Sequence, residues 1–546
     1  MTLRPDQQSH SVAQAFLRSV RLFGPHEAIQ PLDAPAISYQ QLAREVEKAI
    51  AGLKAMGVGQ GDTLAICLPN GTPWMVLTFA AAFLGARLAP INIRYRADEL
   101  RYVLHASAAT LLFTQRSFLS NHFIDRLQEI AGGSLGSGIH ADIDALPSLR
   151  RIVLVDDAPV PGTITYRALT DHDTANVHLA QMAEQINGKE PFWLFWTSGT
   201  TSRPKGALLP QSAISIVWKW TRLAGYASTD RVLTTRPLFY IAGHYWCFLG
   251  PLLHGACVVV GQQFSPNEIQ ALCRQNRVSI LSGNPLLLKS LVESPDFDAS
   301  AFDTVRLGYF SGSTLPLYDM QRIHHAIGYL QLIHTYGMTE LGGFTLSTLP
   351  EDTLDTACAS CGLPFGDLEL KIADPETGQP VEDGRPGMLM TKGQPLLSYI
   401  NLSDAEQRQF YDDEGWYKTG DLMRKTACGR YQFIGRAKDL IKVNGENVSA
   451  GEIEAVLMSH PHVSLASVIG MPDERRGEVP IAYLSPAVPV IDKLEIERWC
   501  RNHMAPYKVP ARFIWLMDTD WPMTATGKIQ KDELRRRLPD PGATRE

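Results

Sequence analysis

An unbroken apolar run, Phe192-Trp193-Leu194-Phe195-Trp196, gives way to Thr197-Ser198-Gly199-Thr200-Thr201-Ser202-Arg203-Pro204-Lys205-Gly206. The run is short and aromatic enough to be a buried strand. The hydroxyl residues and glycines after it let backbone N–H groups come close to an anion. Arg203 and Lys205 add positive charge, so the segment has the chemistry of a phosphate-cradling loop. It is not a Walker loop: no glycine precedes Lys205, and Pro204 stands where that pattern needs an N–H. Taken alone, the segment fits a polar turn after a core strand equally well.

The chain has 546 residues, so two or more structural units are expected. With 51 Lys and Arg against 57 Asp and Glu, the net charge of −6 offers no basic face for nucleic acid. Met1 to Ser9 is polar, without the apolar core of a signal peptide. The longest apolar stretch, Trp74 to Ala89, is interrupted by Gly85 and Arg87 and is too short to span a bilayer. Eight cysteines in so long a chain do not make a disulfide framework. Cys358 and Cys361 have a CxxC spacing but no second pair and no histidine close in sequence, so zinc or redox chemistry is not expected there. The C-terminal Ala543 to Glu546 carries no address or lipidation signal. These features predict a protein of the reducing cytoplasm.

Val12, Phe16 and Val20 recur at helical spacing. Ser38 and Gln41 form a capping box before Leu42, Val46, Ile50 and Leu53, and Gly57 closes that helix. Thr63 to Leu68 reads as a strand, Thr72-Pro73 opens a helix, and Ala97 to His105 leads to the strand Leu111 to Phe113. Strands follow at Arg151 to Val155, Arg231 to Thr235, Cys257 to Val260 and Ser279 to Leu281. Helices are predicted over Ser215 to Leu223 and Pro266 to Gln275. This alternation predicts doubly wound parallel α/β sheets, whose chemistry lies in loops beyond the strand ends. From Gly366 the texture turns to strands and breaks, which predicts a β-rich subdomain. Beyond Arg436, a helix (Ser449 to His460), a strand (Ala466 to Ile469) and another helix (Lys493 to His503) predict a compact α+β tail. With no linker in between, the boundary is a short hinge, giving domains 1–437 and 438–546.

Four further motifs follow the first in fixed order: Tyr336-Gly337-Met338-Thr339-Glu340, Tyr417-Lys418-Thr419-Gly420-Asp421, Gly435-Arg436-Ala437-Lys438-Asp439 and Pro522-Met523-Thr524-Ala525-Thr526-Gly527-Lys528-Ile529. Together they resemble the acyl-adenylate-forming superfamily, which includes acyl-CoA synthetases, luciferases and peptide-synthetase adenylation domains. The resemblance spans nearly the whole chain. It implies a large N-terminal domain of two doubly wound α/β subdomains plus a β-barrel-like one, and a small mobile α+β C-terminal domain. It also implies two reactions: a carboxylate attacks the α-phosphate of magnesium ATP to give an acyl-adenylate and pyrophosphate, and a thiol then displaces AMP.

On that resemblance, Thr197, Ser198, Gly199, Thr200 and Thr201 hold the β- and γ-phosphates, with Lys205 as a point charge. Glu340 resembles the magnesium ligand. Thr339 contacts the α-phosphate, Tyr336 lies against adenine, and Gly337 and Met338 stand with them among the ATP- and AMP-binding residues. Gly312-Ser313-Thr314 resembles the segment lining the far side of adenine. Asp421 accepts both ribose hydroxyls, Arg436 assists, and Lys528 bridges the substrate carboxylate and α-phosphate. Lys438 is the hinge, while Lys442, Gly445 and Glu446 turn toward the thiol tunnel. Three departures stand out. Ser202 replaces a common glycine and resembles the carnitine-type CoA ligases, Tyr240 replaces a frequent histidine, and Asn444 replaces a glycine in a position asparagine tolerates.

The Gly445-Glu446-Asn447-Val448 segment resembles the CoA ligases, and no carboxylate near Phe239 to Trp246 is present to hold a substrate ammonium. The expected partners are therefore a small-molecule carboxylic acid, ATP and coenzyme A, with Mg2+ as metal, no nucleic acid, and a homodimer as one assembly. Tyr240, His244, Trp246, Gly283, Tyr309 and Ser311 are the candidate acyl pocket, with Tyr245 and Asn284-Pro285 beside them. Their aromatic character suits an aryl or medium-chain acid, although Tyr245 and Trp246 serve equally well as core. Two other readings stay open: a stand-alone adenylating enzyme loading a carrier protein, and a nucleotide-binding relative without turnover.

Overall fold

In a computed structural model of the chain, the strand Pro191–Thr197 lies inside an eight-stranded sheet. The structure describes residues 11–197, 203–311, 317–444, 446–473, 475–487, 492–523 and 529–538, with the backbone alone at 447 and 518. The strand order is Thr163–Thr165, Arg151–Leu154, Leu111–Thr114, Thr63–Ile66, Arg87–Pro90, Pro191–Thr197, Lys205–Pro210 and Ser398–Tyr399. The first six are parallel. The last two pairings are antiparallel, so the strands on either side of the phosphate-type segment pair with each other directly.

Local sequence explains the helices that cover this sheet. Ser38 and Gln41 form the capping box of Tyr39–Ala55. Gly57 takes φ +75° just beyond its end. Thr72–Leu84 opens with Pro73 and buries almost every side chain, as expected of a helix that is apolar on all sides. Phe16 of Val12–Phe23 stacks on its Phe79 with ring centroids 4.0 Å apart.

The second α/β subdomain is assembled from distant segments. Arg231–Leu233, Cys257–Val259 and Glu27–Gln30 run parallel, and Ile37–Ser38 closes that edge antiparallel. The strand predicted over Ser279 to Leu281 is reduced to one residue. Ile280 bridges Val232 on one side and Leu307 on the other, linking this sheet to Leu307–Phe310 and Gln331–Met338. Gly343–Ser347 and Leu363–Pro364 extend it antiparallel.

The β-rich region is an antiparallel sheet of Glu369–Ala373, Gly387–Lys392, Tyr417–Lys425 and Tyr431–Arg436. From Leu440 onward a further sheet joins Glu446–Ser449, Leu440–Val443, Gly477–Pro486, Val463–Asp473 and Arg512–Trp515. It has its own core, centred on Ile441, Val448, Ile453, Val468, Leu484 and Ile496. Among the described residues, no helix is long and apolar enough to cross a membrane.

Candidate active site

The hairpin around the phosphate-type loop is fixed at its exit. Thr197 pairs with Lys205, and Gly206 lies so close to the next strand that a Cβ there would fall 2.7 Å from Ile400 Cγ1. Asn401 holds the turn from outside: its Oδ1 accepts from the Gly206 N–H at 3.1 Å and its Nδ2 donates to the Pro204 carbonyl at 2.9 Å. Tyr102 supports the same point, accepting from Asn401 Nδ2 at 2.5 Å while Arg203 lies over its ring at 4.9 Å. Asn401→Ala removes its contacts with Gly206, Pro204 and Tyr102 together. We expect about 1–3 kcal/mol of lost stability and a several-fold rise in the KM for ATP. An unchanged KM would show that the loop does not depend on this clamp.

Lys205 opens the second hairpin strand and is buried rather than free in the loop. Its ammonium lies 4.4 Å above the Phe410 ring and 5.8 Å from that of Tyr399. Burial moves its pKa below the ordinary lysine value, and the Glu340 charge opposes that shift. Glu340 itself lies in the short 3-10 turn Thr339–Leu341, with Thr339 half-buried, directly after the Tyr336–Met338 strand end. The backbone there doubles back tightly: a Cβ on Gly337 would fall 1.8 Å from the Gly343 carbonyl oxygen, so only glycine fits. Glu340 is buried and Oε1 accepts from Tyr399 Oη at 2.9 Å, while Tyr399 and Tyr417 share a 3.0 Å hydroxyl contact. Burial raises the Glu340 pKa. Burial and the Glu340 charge also raise that of Tyr399, which keeps its proton and donates. A carboxylate with lone pairs to spare beyond one hydroxyl contact has the donor chemistry a hard divalent cation requires.

Asp421 is almost fully buried at the middle of its strand. Tyr336 Oη donates to its Oδ2 at 2.5 Å, and Arg436 Nε stands 2.7 Å from Oδ1. The Asp421 N–H donates to Thr419 Oγ1 at 3.1 Å, and that hydroxyl donates to the Leu389 carbonyl at 2.7 Å. Tyr336, read from sequence as an adenine contact, is thus tied by its hydroxyl to Asp421, the carboxylate read from sequence as the ribose contact. Its ring meets that of exposed Phe433 at 6.3 Å.

The acyl-pocket candidates separate. Tyr240 is half-buried and accepts from Asn92 Nδ2 at 3.3 Å. Gly283 pairs with Phe310, and Ser311 accepts from Arg236 Nη1 at 3.2 Å. His244, Trp246 and Tyr309 have no exposed surface. His244 Nε2 accepts from Trp193 Nε1 at 3.1 Å, and burial pushes its pKa down to about 3, so it is neutral. Trp246 stacks on Phe344 with centroids 4.2 Å apart and packs edge-on against Trp220 at 5.1 Å. The aromatic face of this segment turns into the core, which takes these three side chains out of direct reach of a substrate in this conformation. Trp246→Ala should cost about 3–5 kcal/mol in a denaturant titration and leave the ranking of acid substrates as it was. A changed ranking at full stability would make it a substrate contact.

Ser198, Gly199, Thr200, Thr201, Gly312, Ser313, Thr314, Gly445 and Lys528 lie outside the described residues. At the expected hinge, Lys438 is exposed in the 3-10 turn Ala437–Asp439. Asp439 faces Arg535 at 3.3 Å and Lys531 at 3.9 Å, both on the last helix, Lys531–Arg536. Lys442 and Glu446 are exposed on neighbouring strands, and Asn444 takes φ +53°, the left-handed conformation expected of it. The eight cysteines are free. His334 does reach the CxxC turn, but its Nδ1 lies 2.9 Å from the Ala357 carbonyl and 2.8 Å from that of Ser360. Sequence reasoning missed Asn401, Tyr102, Tyr399 and Phe410, which lie in no motif. The one available signal was the Tyr399-Ile400-Asn401 segment just before a capping box.

Two α/β subdomains, a β-rich one with a buried carboxylate, and a separately cored α+β domain define a class of nucleotide-using enzymes. Residues 17–399 match the AMP-binding enzyme family and residues 452–528 the AMP-binding enzyme C-terminal domain, so the chain belongs to this family. A putative acyl-CoA synthetase of Bacillus subtilis (strain 168) is 31% identical over 91% of each chain. A medium-chain acyl-CoA ligase, mitochondrial, from Mus musculus is 28% identical over 92% of this chain and 83% of its own. The crystal structure of the anthranilate CoA ligase AuaEII with anthranoyl-AMP superposes with a TM-score of 0.85 at 26% identity, covering 97% of this chain and 98% of the other. The protein is accordingly an ATP-dependent acyl-CoA ligase, an AMP-forming acid–thiol ligase.

Proposed function

We propose that the protein activates a medium-chain or aryl carboxylic acid and passes the acyl group to coenzyme A. The observation that carries the residue assignment is the pair of buried carboxylates, Asp421 and Glu340, each held by a tyrosine hydroxyl and each beside a cation. A carboxylate oxygen attacks the α-phosphorus of ATP, a new P–O bond forms, and pyrophosphate leaves with the electrons of the broken α–β bridge. The thiol sulfur then attacks the acyl carbonyl, AMP leaves with its oxygen, and the thiol proton passes to solvent.

Asp421 has the placement to receive the ribose hydroxyls, with Tyr336 and Arg436 fixing its two oxygens. Thr339 and the loop ending at Lys205 face the phosphates, and Lys528 neutralises charge at the attacked phosphorus. The carboxylate of Glu340 fits Mg2+, which when bound would offset the triphosphate charge. Tyr240, Gly283 and Ser311 border the acid. The boundary falls at Ala437 and Lys438, and the lid rotates there to exchange Lys528 for the segment near Lys442, Gly445 and Glu446.

The names of the relatives support both acid classes, medium-chain for one and anthranilate for the other. Pyrophosphate release should be measured over a panel of aliphatic and aromatic acids, with and without coenzyme A. Acid-dependent release followed by thioester formation is the expected result. Release with thioester formed only on a carrier-protein thiol would overturn the acceptor, and no release with any acid would overturn the ligase reading.

A further inference from the structure

The strand Tyr431–Arg436 is irregular where the C-terminal domain meets it. Its pairing with Tyr417–Lys425 steps from Leu422 opposite Gly435 to Met423 opposite Phe433, so Ile434 is the extra residue of a β-bulge. Ser449 Oγ donates to the Ile434 carbonyl at 2.8 Å. Ser449 is buried and is the N-cap residue of the helix Ala450–Met458, yet its side chain makes no capping hydrogen bond to that helix. An N-cap serine ordinarily accepts from the first turn of its own helix. This one reaches back across the expected domain boundary instead.

Two glycines bring the segments this close. A Cβ on Gly451, in the first turn of the helix, would fall 2.8 Å from the Ile434 carbonyl oxygen and 3.7 Å from Gly435 Cα. A Cβ on Gly435 would fall 2.6 Å from Ser449 Oγ. The helix therefore rests on the bulge backbone to backbone, as only glycine permits. Arg436, the next residue, stands opposite Asp421, with its Nε 2.7 Å from Oδ1. The seat of the helix and the proposed ribose contact thus share three consecutive residues of one strand.

We propose that Ser449 is a positioning residue that seats the lid for adenylate formation by holding the Ile434 bulge carbonyl, and that this hydrogen bond opens when the lid turns to the thiol step. The inference rests on the ligase reading above and on its lid rotation. Lys442 and Glu446, which that rotation brings to the thiol, are exposed here, so the seat belongs to the arrangement before rotation. Gly435 and Gly451 form the floor of the seat, and the hydroxyl of Ser449 is its latch.

The test uses the full chain and reads the two half-reactions separately, by acid-dependent pyrophosphate exchange and by feeding synthetic acyl-adenylate with coenzyme A. Ser449→Ala should lower the ratio of the adenylation rate to the thioester rate by about fivefold, the worth of one hydrogen bond. Gly451→Ala, which pushes the helix off the bulge, should move the ratio the same way and further. A purely structural role would lower the thermal unfolding temperature and slow both steps together, leaving the ratio as it was, and that result overturns the inference. So does a shift of the ratio toward adenylation, which would assign the seat to the other arrangement. If Gly451→Ala fails to fold, Ser449→Ala decides. Should Lys438→Pro separate the half-reactions while Ser449→Ala does not, the lid turns without this latch and only this inference falls. Absence of pyrophosphate exchange in the wild type with every acid overturns the ligase reading as well.

Discussion

Glu340→Gln should slow adenylate formation by about 10²–10³-fold while leaving the fold in place. Glutamine has the same shape and its carbonyl can still accept from Tyr399, so the hydrogen bond now 2.9 Å long is conserved. What disappears is the negative charge facing Lys205 and any divalent cation that the carboxylate holds. The pH dependence gives a second readout. Burial raises the Glu340 pKa above its ordinary value of 4.5. Between the unfolded and folded values the native chain keeps a proton that the unfolded chain has lost. The stability from this group is therefore fully present below the unfolded value and is lost as pH rises through the folded one. Glu340→Gln should flatten this contribution. Pyrophosphate exchange and thermal unfolding, each followed across pH, check this. A variant with the wild-type rate would remove Glu340 from the chemistry.

The second large effect separates the two half-reactions. Lys528→Ala should cut adenylate formation by 10² or more, yet leave the conversion of a supplied acyl-adenylate to thioester nearly intact, on the order of the charge stabilisation lost at one phosphate oxygen. Lys438→Pro should show the reverse defect. Proline fixes φ near −65°, a value a 3-10 turn accepts, so the turn Ala437–Asp439 should persist while rotation about it is opposed. The contacts of Asp439 with Lys531 and Arg535 explain why this turn is coupled to the far end of the chain. The last helix begins just beyond the motif that carries Lys528, so a rotation at 438 carries that motif with it. Pyrophosphate exchange reads the first step, and synthetic acyl-adenylate with coenzyme A reads the second. Equal loss of both steps in both variants would rule out the two-conformation mechanism.

The sequence by itself determined the local elements and the motif positions. Helix Tyr39–Ala55 with its capping box, Thr72–Leu84 with its proline start, and the left-handed Asn444 follow from residues a few positions apart, and the structure has them there. Side-chain period and capping chemistry act over one or two turns, so they are readable in one dimension. The five motifs were likewise legible because each is a short run of special residue types. Tertiary structure alone decided the rest. Glu27–Gln30 joins Cys257–Val259 in one sheet, a pairing that no local pattern could signal. Nor could it signal that the Ser279 to Leu281 run keeps only one bridging residue. The same holds at the site. Tyr399, Phe410 and Asn401 reach Glu340, Lys205 and the loop exit only because a third strand lies against the hairpin. His244, Trp246 and Tyr309 were aromatic enough for either a pocket or a core, and the choice depended on which face met Trp193, Phe344 and Trp220.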